Sequence, residues 1–192
     1  MTTFTIFGTG NMANAIGGVL AAGGASVDHI THEQGAVATI SGDVVVLAVP
    51  FPALAEIVAN YGEQLEGKVV VDITNPLNFE TFDSLVVPEG SSAAAELQKQ
   101  LPGARVLKAF NTNFAATLAS GKVGENATTV LVAGDDADAK SQLVSAVVAG
   151  GLKAIDAGSL KRAHELEALG FLQLTLAAGE KIQWTGGFAV VA

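Results

Sequence analysis

Cysteine is absent from the 192 residues, which removes disulfides, thiolate metal ligands and a cysteine nucleophile together. Positive charge is scarce. Lys and Arg number 10 against 19 Asp and Glu, a formal net charge of −9. A phosphate backbone is held by a basic face, so nucleic acid is not an expected partner. Long apolar runs are missing too. Although 49% of the residues are hydrophobic, they come in short stretches of Val, Ala, Leu and Ile, below the roughly 20 that a membrane helix requires. No membrane span is expected. The opening residues Met1-Thr2-Thr3-Phe4 carry neither a basic region nor a cleavage pattern, and the expected compartment is the cytoplasm. The 3 histidines are scattered, and neither His29 nor His164 has a metal partner at ligand spacing. No GxSxG elbow, HExxH, CxxC or Walker lysine occurs. Neither a metal site nor a catalytic side-chain constellation is expected.

What is present alternates. Strands are expected at Thr2–Phe7, Ser26–Thr31, Asp43–Val49, Lys68–Ile73, Arg105–Ala109, Thr128–Ala133 and Leu152–Ala157. Helices are expected at Asn11–Ala22, Pro52–Tyr61, Ser92–Leu101 and Asp138–Ala149, with a long amphipathic one from Leu160 to Glu180. Met12, Ala15, Ile16, Val19 and Leu20 recur at helical spacing, whereas Asp43–Val49 is nearly continuous in apolar residues, as a strand covered on both faces must be. Alternating strands and helices at this spacing predict one α/β domain over residues 1–192, a Rossmann-type, doubly wound, mostly parallel sheet. Only His32 to Gly42 separate the second strand from the third. A full crossover helix hardly fits, so this crossover is expected to be shortened or lost and the sheet edge left open.

The chemistry-bearing signal is Gly8-Thr9-Gly10-Asn11-Met12-Ala13, between the first strand and the first helix. Gly8 permits a tight turn and Gly10 a close approach of backbone to a pyrophosphate. Ala13 stands where a third glycine usually lets helix and strand pack. The helix N-terminus then offers free N–H groups and a positive dipole end to the anion. The bland alternative is a tight turn without a ligand. Which dinucleotide is bound depends on the end of the second strand, Ile30-Thr31-His32-Glu33. Thr31 and His32 can donate hydrogen bonds to a 2′-phosphate, which favours NADP; Glu33, turned inward, could instead serve the ribose of NAD. Val49-Pro50 and Asn75-Pro76 follow the next two strands, at carboxyl ends where open α/β sheets bind ligands. Their prolines fix the backbone where a flat ring could rest, and Asn75 could bond a carboxamide, although Asn-Pro is also an ordinary turn signal. Lys108-Ala109-Phe110-Asn111-Thr112 is a third strand end of this kind. Of the histidines, His164 beside Glu165 reads as a surface or interface residue.

These segments, in the same order and together with Asp156-Ala157-Gly158 and Leu166-Glu167, resemble the NADP-dependent oxidoreductases related to F420H2:NADP oxidoreductase, a deazaflavin enzyme. Gly8 to Gly18 is also similar to pyrroline-5-carboxylate reductase, which adds a helical C-terminal domain. The resemblance implies that Thr9 to Met12 bind the pyrophosphate, that Thr31 and His32 hold the 2′-phosphate, and that Val49 and Ala109 line the nicotinamide pocket. Where the family has small-Ser-Arg at the second strand end, this chain has Ile30-Thr31-His32, with no arginine.

The expected function is hydride transfer between NADP(H), or NAD(H), and a second flat acceptor: a deazaflavin, a flavin, or a small carbonyl or imine. Such chemistry belongs to the cofactor, and the protein supplies orientation and dryness. The rival readings are a redox sensor that binds NADPH without turnover, and an imine reductase of the pyrroline-5-carboxylate reductase type. The leucine-rich segment from Leu160 and the uncharged tail Trp184 to Ala192 hold more apolar surface than one core-facing stripe needs. They are expected to form a homodimer in which helix and tail cover the crevice; the alternative is that the tail folds back on its own chain.

Overall fold

The computed structural model describes residues 2–191, with side chains for all of these except 35–37. Ala192, at the end of the expected tail, lies outside the described residues. The chain runs β1 (Thr3–Phe7), α1 (Asn11–Ala22), β2 (Ser26–Ile30), β3 (Val44–Leu47), α2 (Leu54–Leu65), β4 (Val69–Asp72), α3 (Ala93–Gln100) and β5 (Arg105–Lys108). It continues through α4 (Ala115–Ser120), a small hairpin of β6 (Lys122–Val123) and β7 (Asn126–Ala127), then β8 (Thr129–Gly134), α5 (Ala137–Ala149), β9 (Lys153–Gly158) and α6 (Ala163–Ala178). Seven strands form one sheet in the order β2-β1-β3-β4-β5-β8-β9. The order reverses between β1 and β3, and such a switch point opens a crevice at the carboxyl ends of the strands.

Strand alternation divides the core between the two faces of the sheet. Phe4, Ile6, Val44 and Val46 pack with Ile16, Leu20, Leu143 and Val147 of α1 and α5. Phe7, Val45 and Leu47 pack with Tyr61, Leu65 and Leu97 of α2 and α3. Full burial of each large apolar side chain contributes roughly 1.5–3 kcal/mol, and β3 has such partners on both faces.

Three features differ from or sharpen the sequence expectation. Residues His32–Val37 form a 3-10 helix rather than an α-helix, so β2 is an open sheet edge. β8 pairs antiparallel to β5 through only Leu107↔Gly134 and Lys108↔Ala133, and β9 runs parallel to β8. The overlap is confined to the last residues of both strands, so the start of β8 stands beyond the carboxyl end of β5 and flanks the crevice. At the C-terminus, a 3-10 turn (Leu160–Arg162) precedes α6, and the tail folds back on its own chain: Phe188 N–H donates to Gln173 Oε1 at 2.9 Å. Among the described residues, no helix is long and apolar enough to cross a membrane.

Candidate dinucleotide crevice

The glycine loop is held by its surroundings. Gly8 has a φ of 112°, and a Cβ there would lie 2.4 Å from the Ala48 carbonyl oxygen, so only glycine brings β1 this close to the end of β3. His29 of β2 reaches across with its Nδ1 2.8 Å from the Gly8 carbonyl oxygen, and Asn14 Nδ2 donates to the Thr9 carbonyl at 2.9 Å. Gly10 caps α1 in an extended conformation, with no capping side chain and no acidic residue in the first turn. A Cβ on Gly10 would meet nothing within 4 Å. The protein therefore leaves this space open, and the first-turn amides have no side chain to satisfy them, as a helix terminus built for an anion requires.

Two cavities meet over this loop. The outer one, about 350 Å³, is lined by Gly8, Thr9, Thr31 and His32, with Tyr61 and Glu56 opposite. The inner one, about 580 Å³, is lined by Asn11, Met12, Asn75 and Asn111. Gly10, Val49 and Pro50 line both. Pro76 and Ala109 line neither; both are buried, Ala109 completely. Glu33 lies in neither wall and is exposed. Among the described residues of the outer wall, His32 is the one side chain able to carry positive charge. Thr31 spends its backbone N–H on Gln34 Oε1 at 2.6 Å, starting the 3-10 turn.

The inner wall is built from strand ends. Phe110, fully buried, adopts a φ of 63°, a rare conformation for a bulky residue, and this turn presents Asn111. Asn111 Nδ2 donates to Asn75 Oδ1 at 2.9 Å and to the Leu166 carbonyl at 2.8 Å. Asn75 Nδ2 donates to the Asn111 carbonyl at 2.9 Å, so the Asn75 amide is spent within the wall. Asn113 Nδ2 donates to the Thr129 carbonyl of β8 at 3.1 Å. Three wall residues nevertheless keep buried oxygens without a protein partner: Thr74 Oγ1, Asn111 Oδ1 and Asn113 Oδ1. Each would cost about 1–3 kcal/mol if nothing ever bonded it. The residues that carry these oxygens line the inner cavity. The same cavity is lined by aromatic rings: Trp184 of the tail, packed on Phe114 at 4.9 Å between centroids, and Phe79. Among the described residues, no charged side chain lines this cavity.

Behind the wall lies an ion cluster. Lys108 Nζ meets Asp72 Oδ2 at 2.8 Å and Glu167 Oε1 at 2.7 Å, and also donates to the Thr74 carbonyl. Burial pushes the Glu167 carboxyl above the ordinary range, against the opposing pull of Lys108.

Sequence reasoning placed the glycine loop and the three strand ends and missed their supports: His29, Asn113, Gly170 and the ion cluster. Asp72 and Lys108 had a readable signal, each a charge inside an apolar strand. Gly170 lies in the middle of α6, and a Cβ there would lie 2.3 Å from Asn75 Oδ1. His29 and Asn113 had no local signal. Among the described residues, no group of His, Asp and Glu is placed to hold a metal ion.

Comparison with known proteins agrees with this geometry. Residues 27–76 match the family model of NADP oxidoreductases that are coenzyme F420-dependent. The chain is 32% identical over 149 residues to the F420-dependent NADP reductase of Methanocaldococcus jannaschii, covering 76% of this chain and 66% of that protein. It is 33% identical over 144 residues to the rat metalloreductase STEAP3, covering 75% of this chain and 28% of that protein. It therefore spans about two thirds of the length of the first of these relatives and under a third of the second. Among solved structures, a protein of Arthrobacter sp. FB24, described as a supposed F420-dependent NADP reductase, superposes with a TM-score of 0.82 over 100% of both chains at 23% identity, which establishes a shared fold. Together with the glycine loop and the switch-point crevice, these likenesses show that the chain belongs to the family of coenzyme F420-dependent NADP oxidoreductases.

Proposed function

We propose that this protein binds NADP(H) across the two cavities and exchanges hydride with a second flat molecule in the inner one. The observation that carries the reading is the uncapped N-terminus of α1 with open space at Gly10, from which a cavity lined by Thr74, Asn111, Asn113 and aromatic rings extends. The pyrophosphate would sit against Gly10, Asn11 and Met12, with the 2′-phosphate beside Thr31 and His32. The nicotinamide carboxamide brings two N–H donors, and Asn111 Oδ1, held in place by both bonds of its own amide, suits it better than the spent Asn75. A bound nicotinamide supplies the hydride chemistry. The chain's own contribution is to orient the two rings and keep water from between them.

The acceptor is a deazaflavin, a flavin or a small neutral carbonyl or imine. The absence of a cationic side chain from the described inner wall argues against a carboxylate such as pyrroline-5-carboxylate, whose charge would be left unpaired. Exposed Leu172 on α6, with Trp184 and Phe188 on the tail, supports a homodimer through this face; light scattering of a monomer at micromolar concentration would remove that element. The deciding experiment is NADPH oxidation against deazaflavin, flavins and cyclic imines. Turnover with one flat acceptor is expected. Tight NADPH binding with no turnover on any of them would leave a redox sensor in its place.

A further inference from the structure

The buried ion cluster holds one carboxylate more than a structural pair needs. Asp72 and Lys108 face each other across the β4–β5 ladder, and the side chains of both are 0% exposed. The three protons of Lys108 Nζ are met by Asp72, Glu167 and the Thr74 carbonyl. Asp72 Oδ1 accepts the Thr74 N–H at 2.8 Å. Glu167 accepts the N–H groups of Ala93 at 2.8 Å and Ala94 at 3.3 Å, at the start of α3. Every partner of the Glu167 carboxyl is thus a donor, and the ionised form is the one these contacts satisfy. Two carboxylates against one ammonium leave a net charge of −1 out of reach of solvent. Such a surplus is costly, and it lies directly behind the crevice: the cluster grips Thr74 by both its N–H and its carbonyl, and the carbonyl of Leu166, next to Glu167, holds Asn111.

The inference rests on the reading that the inner cavity receives the nicotinamide end of the dinucleotide. The nicotinamide ring is cationic when oxidised and neutral when reduced; the other groups of the two nucleotides are the same. We propose that the Asp72–Lys108–Glu167 cluster, through its one surplus negative charge behind the Thr74–Asn111 wall, makes the crevice favour NADP+ over NADPH. A fixed charge in a place without water is weakly screened and acts through the wall. The preference is switchable. A proton on Glu167 brings the cluster to neutrality, and burial favours that proton at milder acidity than for an ordinary glutamate. The charged and polar groups facing Glu167 are Lys108 from β5, Asp72 from β4 and the two α3 amides. As pH falls through the Glu167 titration, NADP+ should lose its advantage.

The test is calorimetric titration of the intact protein with NADP+ and, separately, with NADPH, from about pH 5.5 to about pH 9. The quantity read is the ratio of the two dissociation constants. The 2′-phosphate is common to both nucleotides, so its effect divides out. The ratio should turn toward NADP+ by about threefold or more as pH rises. In Glu167→Gln it should stay at its low-pH value, and where that variant fails to fold the wild-type profile decides by itself. A ratio that does not change with pH and is unaltered in folded Glu167→Gln, or one that moves toward NADPH as pH rises, overturns the proposal. If neither nucleotide binds at any pH, the cavity assignment falls first and this inference with it.

Discussion

Gly10 carries the sharpest residue-level consequence. A side chain there meets no protein atom, so Gly10→Val should fold normally while its branched side chain occupies the space needed by a pyrophosphate. Dinucleotide affinity should fall at least about tenfold, about 1.4 kcal/mol, by calorimetry; unchanged affinity in the folded variant would move the site elsewhere. Gly8 behaves oppositely, because its Cβ would strike the Ala48 carbonyl, and substitution there should unfold rather than inhibit. His32 is the second test. As the only potential cation among the described residues of the outer wall, it should matter to NADPH and not to NADH, so His32→Ala should weaken NADPH alone and His32→Arg should strengthen it. Equal effects on both nucleotides would detach His32 from the 2′-phosphate. The glycine loop was legible because a turn followed by a helix is local chemistry. The spent amide of Asn75 was not, because its partner Asn111 lies 36 residues away.

At the scale of elements, α6 and the strand ends hold each other. Gly170 lets the helix lie against the Asn75–Asn111 pair, and a Cβ would come within 2.3 Å of Asn75 Oδ1 and 2.9 Å of the Asn111 carbonyl. Gly170→Ala should therefore cost about 1–3 kcal/mol in urea unfolding and weaken binding at the inner cavity, since the displaced helix carries the Leu166 carbonyl away from Asn111. A Gly170→Ala protein as stable as wild type would mean that α6 docks loosely. Lys108→Met should be worse, about 3–5 kcal/mol, because two buried carboxylates would face each other unpaired. The lost crossover after β2 was readable from its length alone. The antiparallel turn of β8 was not: its strand is as apolar as the parallel ones, and direction is set by how α4 and the hairpin return the chain.

For the molecule as a whole, the Glu167 carboxyl sets a pH dependence of stability. Its folded value is raised above the ordinary 4.5, chiefly by burial, so the folded state holds this proton more tightly than the unfolded one. Its stabilising contribution is full below 4.5 and is lost as pH rises through the raised value. Urea midpoints should show wild type losing stability relative to Glu167→Gln over that window; a constant difference would place the titration outside it. The tail offers a second global test. Deleting residues 184–192 removes Trp184 from the inner wall but leaves the glycine loop untouched, so NADPH should bind more weakly while turnover is lost more severely than binding. In the intact chain, the single tryptophan should report NADPH by a change in fluorescence.

Periodicity and turn chemistry, both short-range, were enough to predict a doubly wound α/β sheet, the turn-and-helix form of its glycine loop and its missing crossover. What only the tertiary structure decided were contacts between segments far apart in the chain. Trp184 lines the inner cavity of its own chain, packed on Phe114. Asn111 is fixed by Asn75 and Leu166. Glu167 adds a second negative charge to a pair formed 59 residues earlier, at Lys108. No local propensity encodes such pairings, because the free energy of burying a charge or orienting an amide depends on partners that only the folded sheet brings within reach.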